Sequence, residues 1–420
     1  MAWLLLVVSG TVAGIWGFGW WTERPLEAVR ASLESDRPRQ ALREVNRFLA
    51  RHRQSDTGLL LKARVLTELG RMRQAERIFE TVGATEPADL HAWGRCLASR
   101  GQWSAALLPL EQLISSHPHH AHHAHHAHHA HHAKALYEAS VCWSRLGRHD
   151  RALVHARNLA QVEHYQARGW FLVGSLHNNS DNKLKAVEAW DHVKRIPQGL
   201  ASLQLTADKF HLAYARAALE LGRGRLARQA IDQSLALKRT ADALIISGET
   251  SFRDGQLQLA RKNWTEAVSH PEIQADALRL ARLSLARIEL QQQHPTQALQ
   301  WLEPLDDQHA TSRTAYLFQR AHTMLDHTDA ANHWKTRTIA LRKQEDRDST
   351  IERALTESPR AYWSRVVQAY RFAQQGNPEQ ALVMIKQLPE SDNDFARDLA
   401  KAIRHHTTLP TLERLPIEHF

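Results

Sequence analysis

From His119 to Ala133 the chain reads His-His-Ala five times, in a sequence that holds 28 histidines among 420 residues. Neutral imidazoles at i, i+3 and i+4, as at His119, His122 and His123, with His126 further along, are a chelating pattern for zinc, nickel or copper. Two features weigh against a dedicated metal centre. A three-residue period drifts around a helix of about 3.6 residues per turn, so no one face collects the ligands. The tract also lacks a carboxylate that would orient its imidazoles. It therefore reads as a triplet expansion with adventitious zinc or nickel affinity and no resident cofactor, and metal buffering is the alternative.

Arginines form the second group: Arg64, Arg95, Arg216, Arg287 and Arg320. A guanidinium makes bidentate, charge-assisted contacts to a carboxylate, so a row of them suits an acidic partner. Whether they form a row depends on the elements that carry them.

Those elements are announced by a recurring alanine, at Ala41, Ala75, Ala106, Ala152, Ala186, Ala227, Ala260, Ala298, Ala331 and Ala381, with several intervals of 31 to 34 residues. Twelve residues earlier stands a small residue in most copies: Ala63, Gly94, Ser140, Gly174, Ala215, Gly248, Ala286 and Ala369, with Val29 and Gln319 as departures. Five residues before the alanine comes a turn former, Gly70, Gly101, Gly147, Gly222, Gly255 or Gly376, with Asp181 and Asp326 in the same place. Four and seven residues after it come apolar side chains, such as Phe79 and Val82, Leu110 and Leu113, Trp190 and Val193, Leu302 and Leu305, Ile385 and Leu388. Each unit thus reads as a helix, a short turn and a second antiparallel helix, with small residues where the backbones approach. One such unit cannot bury its apolar face alone, so the units must stack.

The stretch from Leu60 to Pro87, with Ala63, Gly70, Ala75, Phe79 and Pro87 in place, resembles a tetratricopeptide repeat, and looser copies cover residues 25–390. The resemblance implies an all-α solenoid, a right-handed superhelix of about ten repeats in which the first helices line a concave groove. The array is expected over 22–405, with a His/Ala insertion at 117–133 and a tail at 406–420. A weak junction is expected at 335–360, because Lys335 and Thr338 replace apolar residues and 50 residues separate Ala331 from Ala381. Ala106 and Ala152 are 46 residues apart, a normal unit plus four His-His-Ala triplets, so the tract either lengthens the next first helix or forms a loop.

On that frame the arginines fall one place after the small first-helix residue or its equivalent, so they repeat along the stack. Lys134, Arg168, Lys209 and Arg313 lie seven places earlier in their registers, and Tyr137, Phe171, Tyr316 and Tyr370 are aromatic anchors on the same helices. The expected ligand is an extended or helical acidic segment of another protein. The competing reading pairs the arginines within their own helices, Arg64 with Glu68 and Arg216 with Glu220.

The formal net charge of +9 and pI near 9.7 favour acidic partners. No nucleic-acid module is present in the sequence, and no nucleic acid is expected. Cys96 and Cys142, the only cysteines, stand ten residues before their alanines and are expected to be reduced, partly buried fillers.

Residues 2–21 carry no charge, which gives about the 20 apolar residues a membrane-spanning helix requires. Trp16, Phe18, Trp20 and Trp21 cluster at one end as an interfacial belt. The expectation is a single uncleaved anchor, with a signal peptide cut near Ala13 as its rival. Arg24, Arg30, Arg37 and Arg39 follow the span, which places the array in the cytoplasm, an exported or periplasmic array being the alternative.

The sequence contains no P-loop, HExxH, GxSxG or strand-following GxGxxG. His211, His322 and His333 lie in predicted helices at no common register and read as surface or packing residues. The function expected is a noncatalytic, membrane-anchored scaffold or adaptor, with a noncatalytic subunit of an envelope enzyme or assembly complex as a further alternative.

Overall fold

The structure is a computed structural model, which describes residues 25–116, 126–305, 310–357, 362–374, 377–386, 394–405 and 407–411. The described elements are all helices or the turns between them. The chain divides into two compact units, one ending at Asp254 and one beginning at Gly255, where a single array was expected.

The first unit comprises α1 (25–34), α2 (Pro38–Arg51), α3 (Asp56–Glu68), α4 (Met72–Val82), α5 (Pro87–Ser99), α6 (Trp103–Ser116) and α7 (His126–Arg145). It continues through α8 (His149–Leu159), α9 (Gln166–Asn179), α10 (Lys183–Arg195), α11 (Ala207–Glu220), α12 (Gly224–Leu237) and α13 (Ala241–Arg253). The second comprises α14 (Leu257–Val268), α15 (Ala275–Gln291), α16 (Pro295–Leu302), α17 (Ser312–Met324), α18 (Thr328–Glu357), α19 (Tyr362–Gln374), α20 (Pro378–Lys386) and α21 (Asp394–His405).

The hairpins form where the repeating pattern puts them, because its small residues let paired helices close. Nine of the ten register alanines are fully buried, and the partners of the first helices, Ala63, Ser140, Ala215, Ala286 and Ala369, are buried as well. At Gly94 an added Cβ would stand 2.5 Å from the Leu110 side chain, so only glycine fits against that leucine. Consecutive helices pack as α3 on α4, α5 on α6, α7 on α8, α9 on α10 and α11 on α12, and α15 on α16 in the second unit. Five residues before the alanine the backbone is left-handed at Gly70, Gly101, Gly147, Asp181, Gly222, Gly255 and Asp326, and also at Asp36 and Gln293. Pro87 opens α5 at its first turn, where a missing N–H costs nothing.

Ala331 is the exception, only half-buried, with Lys335 exposed. Across the expected weak junction the chain forms one helix of 30 residues, α18. No glycine or proline stands between Thr328 and Glu357 to end it; its start packs on α17, and many charged residues keep its middle in solvent. The described end of the His/Ala insertion lengthens α7 to 20 residues. Cys96 and Cys142 are buried free thiols, and burial raises their pKa to about 11 and about 12. Residues 1–24, and with them the expected anchor, lie outside the described residues. Among the described residues no helix is long and apolar enough to cross a membrane.

Candidate partner-binding surface

In the first unit α3, α5 and α7 pack first helix against first helix, so their register positions form one continuous surface. Two of the expected arginines are already matched there. Arg95 Nη2 lies 2.7 Å from Glu68 Oε1, and Arg64 Nε lies 3.9 Å from the buried Asp89. Burial pulls the Arg64 pKa down against the attraction of Asp89, and burial pushes the Asp89 pKa up against that of Arg64. Arg64 and Arg95 therefore hold neighbouring repeats together across helices. The in-helix pairs are not what forms: Glu68 serves the next repeat, and Glu220 lies 3.3 Å from Lys183 of the preceding one.

Between these arginines lies His91, only 7% exposed, its ring centroid 5.7 Å from that of His131. Burial above all, and then the positive charge of His131, Arg95, Lys134 and Arg64, brings its pKa down to about 3. His91 was missed by the sequence reading, although it stands three places before its small residue, as Tyr137 and Phe171 do. The surface continues over α7, where burial raises Glu138 against the pull of Arg95 and raises Tyr137 close to Arg168.

The remaining residues divide into exposed and committed groups. Lys134, Lys209 and Arg216 are exposed, and Tyr137 is half-buried. Arg168 is committed, its Nε donating to Ser202 O at 2.7 Å. Phe171 is half-buried and packs on Phe210 at 6.3 Å, so it serves the core edge. In the second unit Arg287 is exposed, Arg320 donates to Leu290 O at 3.4 Å, and Tyr316 is exposed beneath Arg342. Tyr370 belongs to the core, packed on Phe395 at 6.2 Å, and is withdrawn from any partner.

His119, His122 and His123 lie outside the described residues, and His126 opens α7. Among the described residues no group of three or more His, Cys, Asp or Glu side chains is arranged to hold a metal ion.

A separate cleft of about 380 Å³ lies among α6, α7 and α8, lined by Glu111, Trp143, Arg151, Val154 and His155. Glu111 Oε1 accepts from Trp143 Nε1 at 2.9 Å and lies 3.0 Å from His155 Nε2; the hydrogen bond from His155 leads in holding its pKa below the usual carboxylate range. Arg151 stacks on Trp143 at 4.5 Å. The arrangement ties α6 to α8 and offers no nucleophile.

No family model and no curated relative matches the chain. Solved structures do resemble it. One is the apo form of the quorum sensor NprR from B. thuringiensis, at 11% identity over 76% of this chain and 97% of that one, with a TM-score of 0.46. The C-terminal part of a TPR repeat-containing protein from Cytophaga hutchinsonii matches at 14% identity over 60% of this chain and 98% of that one, with a TM-score of 0.45. A tetratricopeptide repeat protein from Parabacteroides merdae matches at 12% identity over 62% and 98%, with a TM-score of 0.41.

Proposed function

We propose that the chain is a noncatalytic scaffold that binds an acidic segment of another protein on the first-helix face of its first unit. The observation that carries this reading is the split between matched and exposed cations. Arg64 and Arg95 are matched internally by Asp89 and Glu68, whereas Lys134, Lys209 and Arg216 are exposed on the same register face, with Tyr137 beside the first of them. Exposed cations, one of them with an aromatic ring beside it, give a carboxylate-bearing segment both charge and apolar contact.

The triple variant Lys134→Glu, Lys209→Glu, Arg216→Glu tests it by quantitative crosslinking from cells. Partners captured by the native chain are expected to fall at least tenfold, and native capture is expected to weaken with rising salt. Unchanged capture by a folded triple variant, judged by its helical circular dichroism, removes the proposal.

Residues 2–21 support a second part of the reading, a single membrane anchor that holds the scaffold at the bilayer with the array on the cytoplasmic side. A C-terminally tagged chain is expected in the membrane fraction, protected from protease in intact cells. Recovery in the soluble fraction contradicts anchoring, and digestion in intact cells contradicts the orientation.

A further inference from the structure

In the second unit the turn from α17 to α18 brings two imidazoles together. His322 lies in the last turn of α17, and His327 is the residue before α18. The backbone N–H of His327 donates to His322 O at 3.0 Å, and that of Leu325 donates to the same carbonyl at 3.2 Å. Asp326 supplies the left-handed residue between them, with φ 59°. This helix cap fixes the separation of the two residues. The ring of His322 also continues a stack, lying 6.5 Å from Phe318, which in turn lies 4.2 Å from Trp334.

The result is a distance between Nδ1 atoms of 3.3 Å, with ring centroids 5.5 Å apart. Zinc–imidazole bonds of about 2.0–2.1 Å at a tetrahedral angle place two nitrogens about 3.4 Å apart. Without metal, one Nδ1–H donates to the lone pair of the other ring. To bind a metal ion the donor ring shifts its proton through water from Nδ1 to Nε2, so that both Nδ1 lone pairs face the ion and each ring keeps one Nε2–H. The local charge suits a cation, since residues 322–331 include Asp326 and Asp329 and no lysine or arginine. Another close imidazole pair among the described residues, His91 and His131, lies among Arg64, Arg95 and Lys134, whose charge repels a cation.

We propose that His322 and His327 form a two-imidazole chelate for a divalent first-row transition metal, separate from the His/Ala tract, with water completing the coordination. Imidazole nitrogen suits zinc, nickel and copper. Zinc serves as the probe because it is redox-inert. Bound there, it crosslinks the end of α17 to the start of α18.

Hydrogen exchange on the full chain, with and without zinc chloride, reads this site apart from the tract. Exchange in peptides covering residues 320–331 is expected to slow with zinc and to recover with EDTA. His322→Ala, and separately His327→Gln, each abolish that slowing while metal uptake at the tract persists, and calorimetric stoichiometry falls by one zinc. His327 is exposed, so its replacement leaves the fold intact and keeps the test decisive. Exchange that zinc leaves unchanged in the native chain, or that slows equally in both variants, overturns the assignment.

Discussion

Replacing Trp190 by alanine is expected to destabilise the first unit by about 3–5 kcal/mol, the usual cost of removing a large buried aromatic. Trp190 is 2% exposed, meets Phe210 edge-on at 6.4 Å, and donates its indole N–H to Phe171 O at 3.2 Å. Its space exists because Gly174 has no side chain: an added Cβ there would stand 2.3 Å from the indole nitrogen. Gly174→Leu alone should therefore cost about 1–3 kcal/mol or more through overpacking. In the Trp190→Ala background the new leucine has a cavity to enter. The double variant is then expected to be more stable than the sum of the single costs allows, by about 0.5–3 kcal/mol of coupling. Urea midpoints of the four proteins measure this, and strictly additive costs would show that the two positions do not share one volume.

The same pair shows how much of the fold the sequence discloses. A small residue followed twelve places later by alanine, with a large apolar residue four places beyond, specifies two helices at close approach and the side chain that fills the gap. The left-handed turn is equally legible where glycine occupies it. It is less legible at Gln293, where the preceding helix and the next hairpin impose the same conformation on a residue that disfavours it, whereas Asp36 tolerates it as Asp181 and Asp326 do. The helix α18 is harder to anticipate, because a missing turn signal and a missing apolar face look like a weak repeat until the chain is seen to run on as helix. The division after Asp254 has no marker, since Gly248 and Ala260 keep the register on both sides.

The candidate surface is legible in its positions and misread in its pairings. The register places Arg64, Arg95 and Arg216 correctly on first helices. Spacing along one helix suggests Glu68 as the partner of Arg64, yet the stacked neighbour presents Arg95 to that carboxylate at 2.7 Å. Such cross-helix competition depends on which repeats touch, which a one-dimensional pattern does not carry. Tyr370 illustrates the same limit: a tyrosine at a groove register becomes core once Phe395 packs on it.

Acid is expected to loosen the first unit between pH 7 and pH 5, and His91 sets the sign. Its native pKa of about 3 lies below the ordinary 6.5, so between those values the unfolded chain binds a proton that the native chain refuses. The stability held by the neutral imidazole is complete above about pH 6.5 and is lost as pH falls toward 3. With 1.36 kcal/mol per pKa unit, the loss from this one group between pH 7 and pH 5 is about 2 kcal/mol. His177 and His211 are shifted down by burial and add to the loss. Asp89 and Glu138 work in the opposite direction: burial raises their pKa, so the native state is relieved as they protonate. His91→Gln separates the contributions, because it removes the titrating ring and leaves those carboxylates. The native chain is expected to lose urea resistance between pH 7 and pH 5, and the variant to lose distinctly less, whatever its absolute stability. Parallel pH profiles for the two proteins would mean that His91 is not held neutral and that the positive charge around it is screened by solvent.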